Sequence, residues 1–170
     1  MYRGSGIATF KYNSSEGYYA SITNQTESLI SLSEITGQDN FIIEFDAKLN
    51  GVTGNQFFGI AGICAYENNN NYRRLSCHNS KIAERRCING IATEYESDVL
   101  TTVSRGDLLH YKFTISNNHI VEEVTRGTTT IAIKTTEYTP TNDTKYGIAL
   151  IWDNGWTENS FLKNIKIRSL

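Results

Sequence analysis

The stretch FIIEFDAKL, residues 41–49, decides the fold. Alternate positions carry Phe41, Ile43, Phe45, Ala47 and Leu49, and the positions between them carry Ile42, Glu44, Asp46 and Lys48. Side chains of a strand point to opposite faces with period two, so this is a long strand with one face buried and one wet. LLHYKFTI (108–115), YGIALIW (146–152) and FLKNIKI (161–167) repeat the pattern. The first places Leu109, Tyr111, Phe113 and Ile115 inward. The second is apolar on both faces, with Tyr146, Ile148, Leu150 and Trp152 against Ala149 and Ile151, as a central strand should be. In the third, Ile165 and Ile167 point inward and Lys166 and Arg168 outward. TTTIAIKT (128–135) likewise places Ile131 and Ile133 inward.

Working outward from these words, strands are expected at 7–12, 18–23, 28–32, 40–49, 56–66, 71–78, 81–87, 98–104, 108–116, 119–125, 128–135, 144–152 and 160–169. Turn-rich pieces separate them: Asn50-Gly51, the four asparagines 68–71, Asn89-Gly90, Asn117-Asn118, Arg126-Gly127 and residues 139–143. Asn-Gly and Asn-Asn suit the positive φ angles of tight hairpins. Nineteen threonines and ten tyrosines favour strands, and the single proline, Pro140, falls in a loop. Many short strands with no apolar stripe of helical period give an all-β protein, an antiparallel two-sheet β-sandwich.

The 170 residues suffice for one domain with its own core, and the whole of 1–170 is read as a single β-sandwich domain. MYRGSGIATFKY has no apolar core of a secretory signal, and the chain runs at once into a strand; the expectation is a domain belonging to a longer protein. A net charge of −2 and the absence of any basic run argue against nucleic acid and anionic membrane surfaces as partners. No stretch of about 18 apolar residues is present to span a bilayer as a helix. Three cysteines, Cys64, Cys77 and Cys87, are an odd number with no metal-ligand spacing, and the three histidines are scattered. They are expected to act as small core residues without a disulfide. If 56–66 and 71–78 form a hairpin, Cys64 faces a residue near Arg73 rather than Cys77.

The order EFDAKL (44–49), FFGIAGI (57–63) with NNNNYRRLS (68–76), GDLLHYKFTISNNHIVEEV (106–124) and KYGIALIWDNGWTENSFLKNIKIRSL (145–170) resembles the concanavalin A-like jelly roll. It is similar to the lectin-like and carbohydrate-binding modules of phage tail and baseplate proteins and of secreted glycan-active enzymes. The resemblance covers roughly residues 38–170. It implies a concave sheet whose outer face is a ligand platform, a cell-surface or cell-wall glycan as partner, and a virion (tail or baseplate) or extracellular location, within a multimeric assembly that would raise weak affinity by avidity.

Three constellations are candidates for that contact. In Trp152-Asp153-Asn154-Gly155-Trp156 both tryptophans of the chain lie within five residues. Flat aromatics stack on sugar rings, and short polar groups bind ring hydroxyls; the alternative is that Trp152 ends a buried strand. Glu44, Asp46 and Lys48 share the wet face of the long strand, either as platform residues or as a solvated face of ion pairs. Tyr72, Arg73 and Arg74 follow the asparagine turn, with Glu84, Arg85 and Arg86 on the next arm. Alternation turns Tyr72, Arg74 and Ser76 outward and leans Arg73 inward. An arginine beside a tyrosine can hold a carboxylate or a sugar hydroxyl, whereas a cross-strand Arg74–Glu84 ion pair is the structural alternative.

Glucanases share this fold, and a retaining glycosidase needs two carboxyls roughly 5–5.5 Å apart. Those glucanases carry Glu-x-Asp-x-Glu or Glu-x-Asp-x-x-Glu; here Lys48 or Leu49 stands where the last acid belongs. The reading is therefore a non-catalytic glycan-binding module, with a structural or assembly sandwich as the alternative and a glycoside hydrolase third. Asp143, Asp153 and Asn154 offer loop oxygens for a structural Ca²⁺, but form no dense acidic loop, so no cofactor is expected.

Overall fold

The computed structural model describes residues 2–3, 7–23, 27–36, 40–48, 61–68, 70–78, 81–96, 104, 106–151 and 161–170. Among these residues fourteen strands are present: β1 (Tyr2–Arg3), β2 (Ile7–Asn13), β3 (Gly17–Thr23), β4 (Glu27–Thr36), β5 (Phe41–Lys48), β6 (Ala61–Asn68), β7 (Asn71–His78), β8 (Lys81–Ile88), β9 (Ile91–Glu96), β10 (Leu108–Ser116), β11 (His119–Arg126), β12 (Thr129–Glu137), β13 (Lys145–Ile151) and β14 (Phe161–Ser169). They form two seven-stranded antiparallel sheets. Sheet A has the order β1-β4-β13-β6-β7-β8-β9 and sheet B the order β12-β11-β10-β5-β14-β3-β2. The protein is thus an all-β jelly-roll sandwich. No helix among the described residues is long and apolar enough to cross a membrane.

The core lies between the sheets and follows the alternation of the deciding words. Phe41, Ile43, Phe45 and Ala47 of β5 and Leu109, Tyr111, Phe113 and Ile115 of β10 are all buried. The rings of Phe45, Tyr111 and Phe113 stack with centroids 5.1–6.2 Å apart, a spacing at which offset aromatic pairs attract. Tyr146 crosses from sheet A to meet Phe41 edge-on at 5.0 Å. β13 runs between β4 and β6, the central place its two apolar faces require. The hairpins turn where expected: Asn89 and Gly90 have φ of 50° and 81°, and Asn117 and Asn118 of 50° and 60°, the left-handed region such two-residue turns demand.

Three local readings change. Ile131 is buried but Ile133 is 54% exposed. A bulge in the β11–β12 ladder between Val124 and Thr125 shifts the register, so consecutive Ile131 and Ala132 are both buried and the alternation inverts after them. Ile167 keeps the inward phase opposite Ile43 yet remains 39% exposed. β9 was not among the expected strands; Ser104, inside the expected strand 98–104, is not in a strand, and 98–103 lie outside the described residues. The signal for β9 is the Asn89-Gly90 turn followed by alternating Ile91, Thr93 and Tyr95.

Candidate functional site

The two outer faces differ in chemistry. On sheet B the outward residues of β5 meet those of β10 and β14 in register: Glu44 with Lys112 and Lys166, Asp46 with His110 and Lys163, and Lys48 with Leu108 and Phe161. The ladder sets opposite charges side by side; of its register pairs Asp46 and His110 are in contact, and the remaining contacts run diagonally or to the β2–β3 turn. Arg168 Nη2 donates to Glu44 Oε1 at 3.1 Å, and Lys48 Nζ reaches Glu16 Oε2 at 2.9 Å. Asp46 Oδ1 lies 2.8 Å from His110 Nδ1, and its Oδ2 accepts from Asn164 Nδ2 at 2.6 Å. Asn164 sits at a bulge in β14 with φ of 56°, so Asp46 also anchors that irregularity. Glu44, Asp46 and Lys48 face outward as expected, each engaged by a neighbour.

On sheet A the β7–β9 hairpins place four arginines in two directly opposed pairs, Arg73 with Arg86 and Arg74 with Arg85. Directly opposite residues of an antiparallel pair share a face. Arg73 lies opposite Ala65 of the core, so it and Arg86 are on the inner face, with Glu84 beside them. Like charges opposite one another repel, and Glu84 resolves the conflict. Its carboxylate is 2% exposed and accepts a two-pronged contact from Arg86, Nε to Oε1 and Nη2 to Oε2, both at 3.1 Å. Thr136 of the opposite sheet donates to Glu84 Oε2 at 3.3 Å, and Arg73 Nη1 stands 3.8 Å from Oε1. Arg73 also lies over the Tyr138 ring, 5.1 Å from its centroid. Burial, and then the charge of Arg86, lower the Arg73 pKa from the ordinary guanidinium value. The expected Arg74–Glu84 pair is not formed, because Glu84 occupies the inner phase with Arg86 and Arg73.

Tyr72 and Arg74 occupy the outer phase. One transverse row on that face is Tyr66, Tyr72, Cys87, Ala92; the next is Cys64, Arg74, Arg85, Glu94. The rows are two residues apart along the strands, about 7 Å. Arg74, although on the outward face, is only 1% exposed, while Tyr66, Tyr72 and Arg85 are half-buried. Of this outer pair, Arg85 rather than Arg74 keeps accessible surface to offer a ligand. Cys87 is buried and opposite Tyr72, and Cys77 is opposite Ile82, so the register does not set those two cysteines against one another.

At the turn end of this face lies a broad hollow of about 690 Å³ lined by Tyr66, Asn68, Asn70, Asn71 and Asn89. Beside it a tighter cavity of about 120 Å³ is lined by Tyr72, Arg73, Glu67, Cys87, Tyr138 and others. Glu67 is held there by the hydroxyls of Thr141 at 3.0 Å and Thr144 at 3.2 Å. β13 ends at Ile151, at the end of sheet A opposite the asparagine turn. Trp152, Asp153, Asn154 and Trp156 follow it and lie outside the described residues.

The sequence-derived candidates are therefore divided. Tyr72 and Arg74 are on the outer face of sheet A, and Glu44, Asp46 and Lys48 on the outer face of sheet B, so one ligand cannot touch both sets. Sequence reasoning passed over Tyr66 and did not set Arg85 opposite Arg74; the missing signal was the register between β7 and β8. Among the described residues no cluster of three or more His, Cys, Asp or Glu side chains is placed to hold a metal ion.

One buried acid stands apart from both faces. Glu122 of β11 is fully buried, opposite Phe113 and Lys134, and among the described residues neither carboxyl oxygen has a hydrogen-bond partner. Burial pushes its pKa up to about 8, against a smaller opposing effect of the Lys134 charge.

No family model matches the chain, and no curated protein matches it. Solved structures do. A protein of unknown function from Saccharomyces cerevisiae superposes with a TM-score of 0.65 at 8% identity, over 97% of this chain and 96% of that one. A toad ovary galectin, solved in complex with thio-digalactose, gives 0.59 at 8% identity, over 85% of this chain and 100% of the galectin. The Bacillus licheniformis GH43 protein BlXynB gives 0.56 at 14% identity over 78% of this chain, which covers 28% of that larger protein. At these identities the likeness is one of fold: the jelly-roll sandwich shared by galectins and by part of a GH43 protein.

Proposed function

We propose that this protein is a non-catalytic glycan-binding module whose site is the outer face of β7–β9. The observation that carries the reading is the pair of adjacent rows there. Arg85, half-buried, supplies a guanidinium fork, and Tyr66 and Tyr72 on the adjacent row supply aromatic surface. A sugar presents hydroxyls that both donate and accept, together with an apolar ring face. Guanidinium forks donate in fixed directions, and a phenol ring packs against C–H groups. The galectin of the same fold was solved with a disaccharide analogue, which makes a saccharide the first ligand class to test. Trp152, Asp153, Asn154 and Trp156 stay in the proposal as contributors from the segment after β13. The engaged ion pairs of Glu44, Asp46 and Lys48 favour a structural role for the other face. A surface or tail assembly displaying several copies is the setting in which a shallow site of this kind would work, through avidity.

The alternative, an assembly sandwich without sugar binding, is favoured by one feature, the exposed Ile88 and Ile91 beside the β8–β9 turn. A saccharide panel on the full chain separates the two. Binding that is lost in Arg85→Met and kept in Lys112→Met, on the opposite outer face, supports the glycan module. Absence of binding across the panel, with a solution mass above the monomer, supports assembly.

A further inference from the structure

Among the described residues, the hollow at the 68–71 turn is lined by Tyr66 and four asparagines, with no ionisable side chain other than that phenol. Two of those carboxamides build the turns. Asn68 Oδ1 accepts from the Asn70 N–H at 2.9 Å, and Asn71 Oδ1 accepts from the Asn89 N–H at 3.1 Å, which ties the β6–β7 turn to the β8–β9 turn. The Gly90 N–H bonds the Asn70 carbonyl at 3.0 Å and completes the clamp. The side chains of Asn70 and Asn89 are not used in this way. Both residues are exposed, and among the described residues their carboxamides have no hydrogen-bond partner.

A carboxamide offers one acceptor and two donors in one plane, the complement a pair of neighbouring sugar hydroxyls requires, and it carries no charge to select for an anion. Tyr66 belongs both to the hollow and to the aromatic row of the outer face, so the two surfaces are continuous. The hollow lies one row beyond Tyr66–Tyr72 and two beyond Arg74–Arg85, a separation of roughly 10–15 Å along the strands. One sugar ring seated on the arginine row would not reach it, and a longer chain would.

We infer that this asparagine hollow is a second subsite, which takes an uncharged ring of an oligosaccharide bound across β7–β9 and reads its hydroxyls through Asn70 and Asn89. The inference rests on the glycan-binding reading and adds to it the length and charge of the ligand.

The experiment compares the wild-type chain with Asn70→Ala/Asn89→Gly, glycine being chosen at 89 because φ there is positive. Each is titrated with neutral monosaccharides, neutral oligosaccharides and oligosaccharides ending in an acidic sugar, with a thermal melt to confirm folding. Loss of two neutral hydrogen bonds predicts roughly tenfold weaker binding of neutral oligosaccharides, with monosaccharide binding unchanged. In the wild type, the side-chain amide signals of Asn70 and Asn89 shift on titration with the oligosaccharide, a readout that needs no variant to fold. Oligosaccharide affinity equal in variant and wild type, with those signals still, overturns the subsite and leaves the outer-face site standing. Preferential loss of acidic ligands overturns its neutral character. A wild type that binds no saccharide overturns the subsite and the glycan-binding reading together.

Discussion

Replacing Glu122 by glutamine should stabilise the protein in a way that depends on pH. The carboxyl is fully buried between the sheets, opposite Phe113, and among the described residues neither oxygen has a partner. Its pKa stands at about 8 in the folded chain against 4.5 ordinarily. An acid whose folded pKa is raised binds more protons folded than unfolded between those two values, so stability falls as pH rises through that window and is constant above it. From about pH 5 to about pH 7 the linkage amounts to roughly 2–3 kcal/mol, at about 1.4 kcal/mol per unit. Glutamine keeps the shape of the protonated acid and cannot ionise. Urea unfolding followed by fluorescence, run on both proteins at about pH 5, 6, 7 and 8, should give nearly equal stabilities at the acid end. By about pH 7 the glutamine variant should be ahead by about 2–3 kcal/mol. Parallel pH profiles for the two proteins would refute the claim that the carboxyl is buried without a partner.

Four further outcomes follow from named contacts. Gly17 has φ of 106°, and a Cβ there would press on the Leu162 carbonyl oxygen, so Gly17→Ala should cost about 2 kcal/mol or more and lower the melting temperature by several degrees. Glu84→Ala leaves Arg73 and Arg86 facing each other inside the sandwich and should cost about 3–5 kcal/mol in denaturant unfolding, with Glu84→Gln intermediate. Asp46→Ala removes half-exposed contacts to His110 and Asn164 and should cost only about 1 kcal/mol, an effect that shrinks in high salt. Ile131→Ala should lose about 2–4 kcal/mol, whereas Ile133→Ala should stay within about 0.5 kcal/mol; equal losses would contradict the β11–β12 bulge.

The sandwich was legible because its central strands alternate cleanly: the burial of Phe45, Tyr111 and Phe113 is written in period two. The reading failed where the period itself breaks. A bulge adds a residue with no mark in the side-chain pattern, so Ile133 and Ala132 exchange roles without warning. β9 escaped notice because IATEYE carries two acids and a single large aliphatic side chain, and its identity as a strand depends on pairing with β8. The candidate site was half legible. Alternation placed Arg74 outward and Arg73 inward, but not the burial of Arg74 or the inward turn of Glu84. Both depend on which residue lies opposite, a property of register between strands rather than of any one strand. The asparagines 68–71 read as a turn, which they form, and only the meeting of two turns in space shows two of the hollow's carboxamides left over at its rim.

The central claim is that sheet A, not sheet B, presents the saccharide site. The most direct measurement is a two-dimensional amide spectrum of the isotope-labelled full chain, titrated with the tightest-binding oligosaccharide of the panel. A site on β7–β9 predicts saturable shifts at Tyr66, Tyr72, Arg74, Arg85 and Glu94, with Glu44, Asp46, His110 and Lys112 unmoved. Shifts clustered on that second group, or a spectrum indifferent to every saccharide, would contradict it.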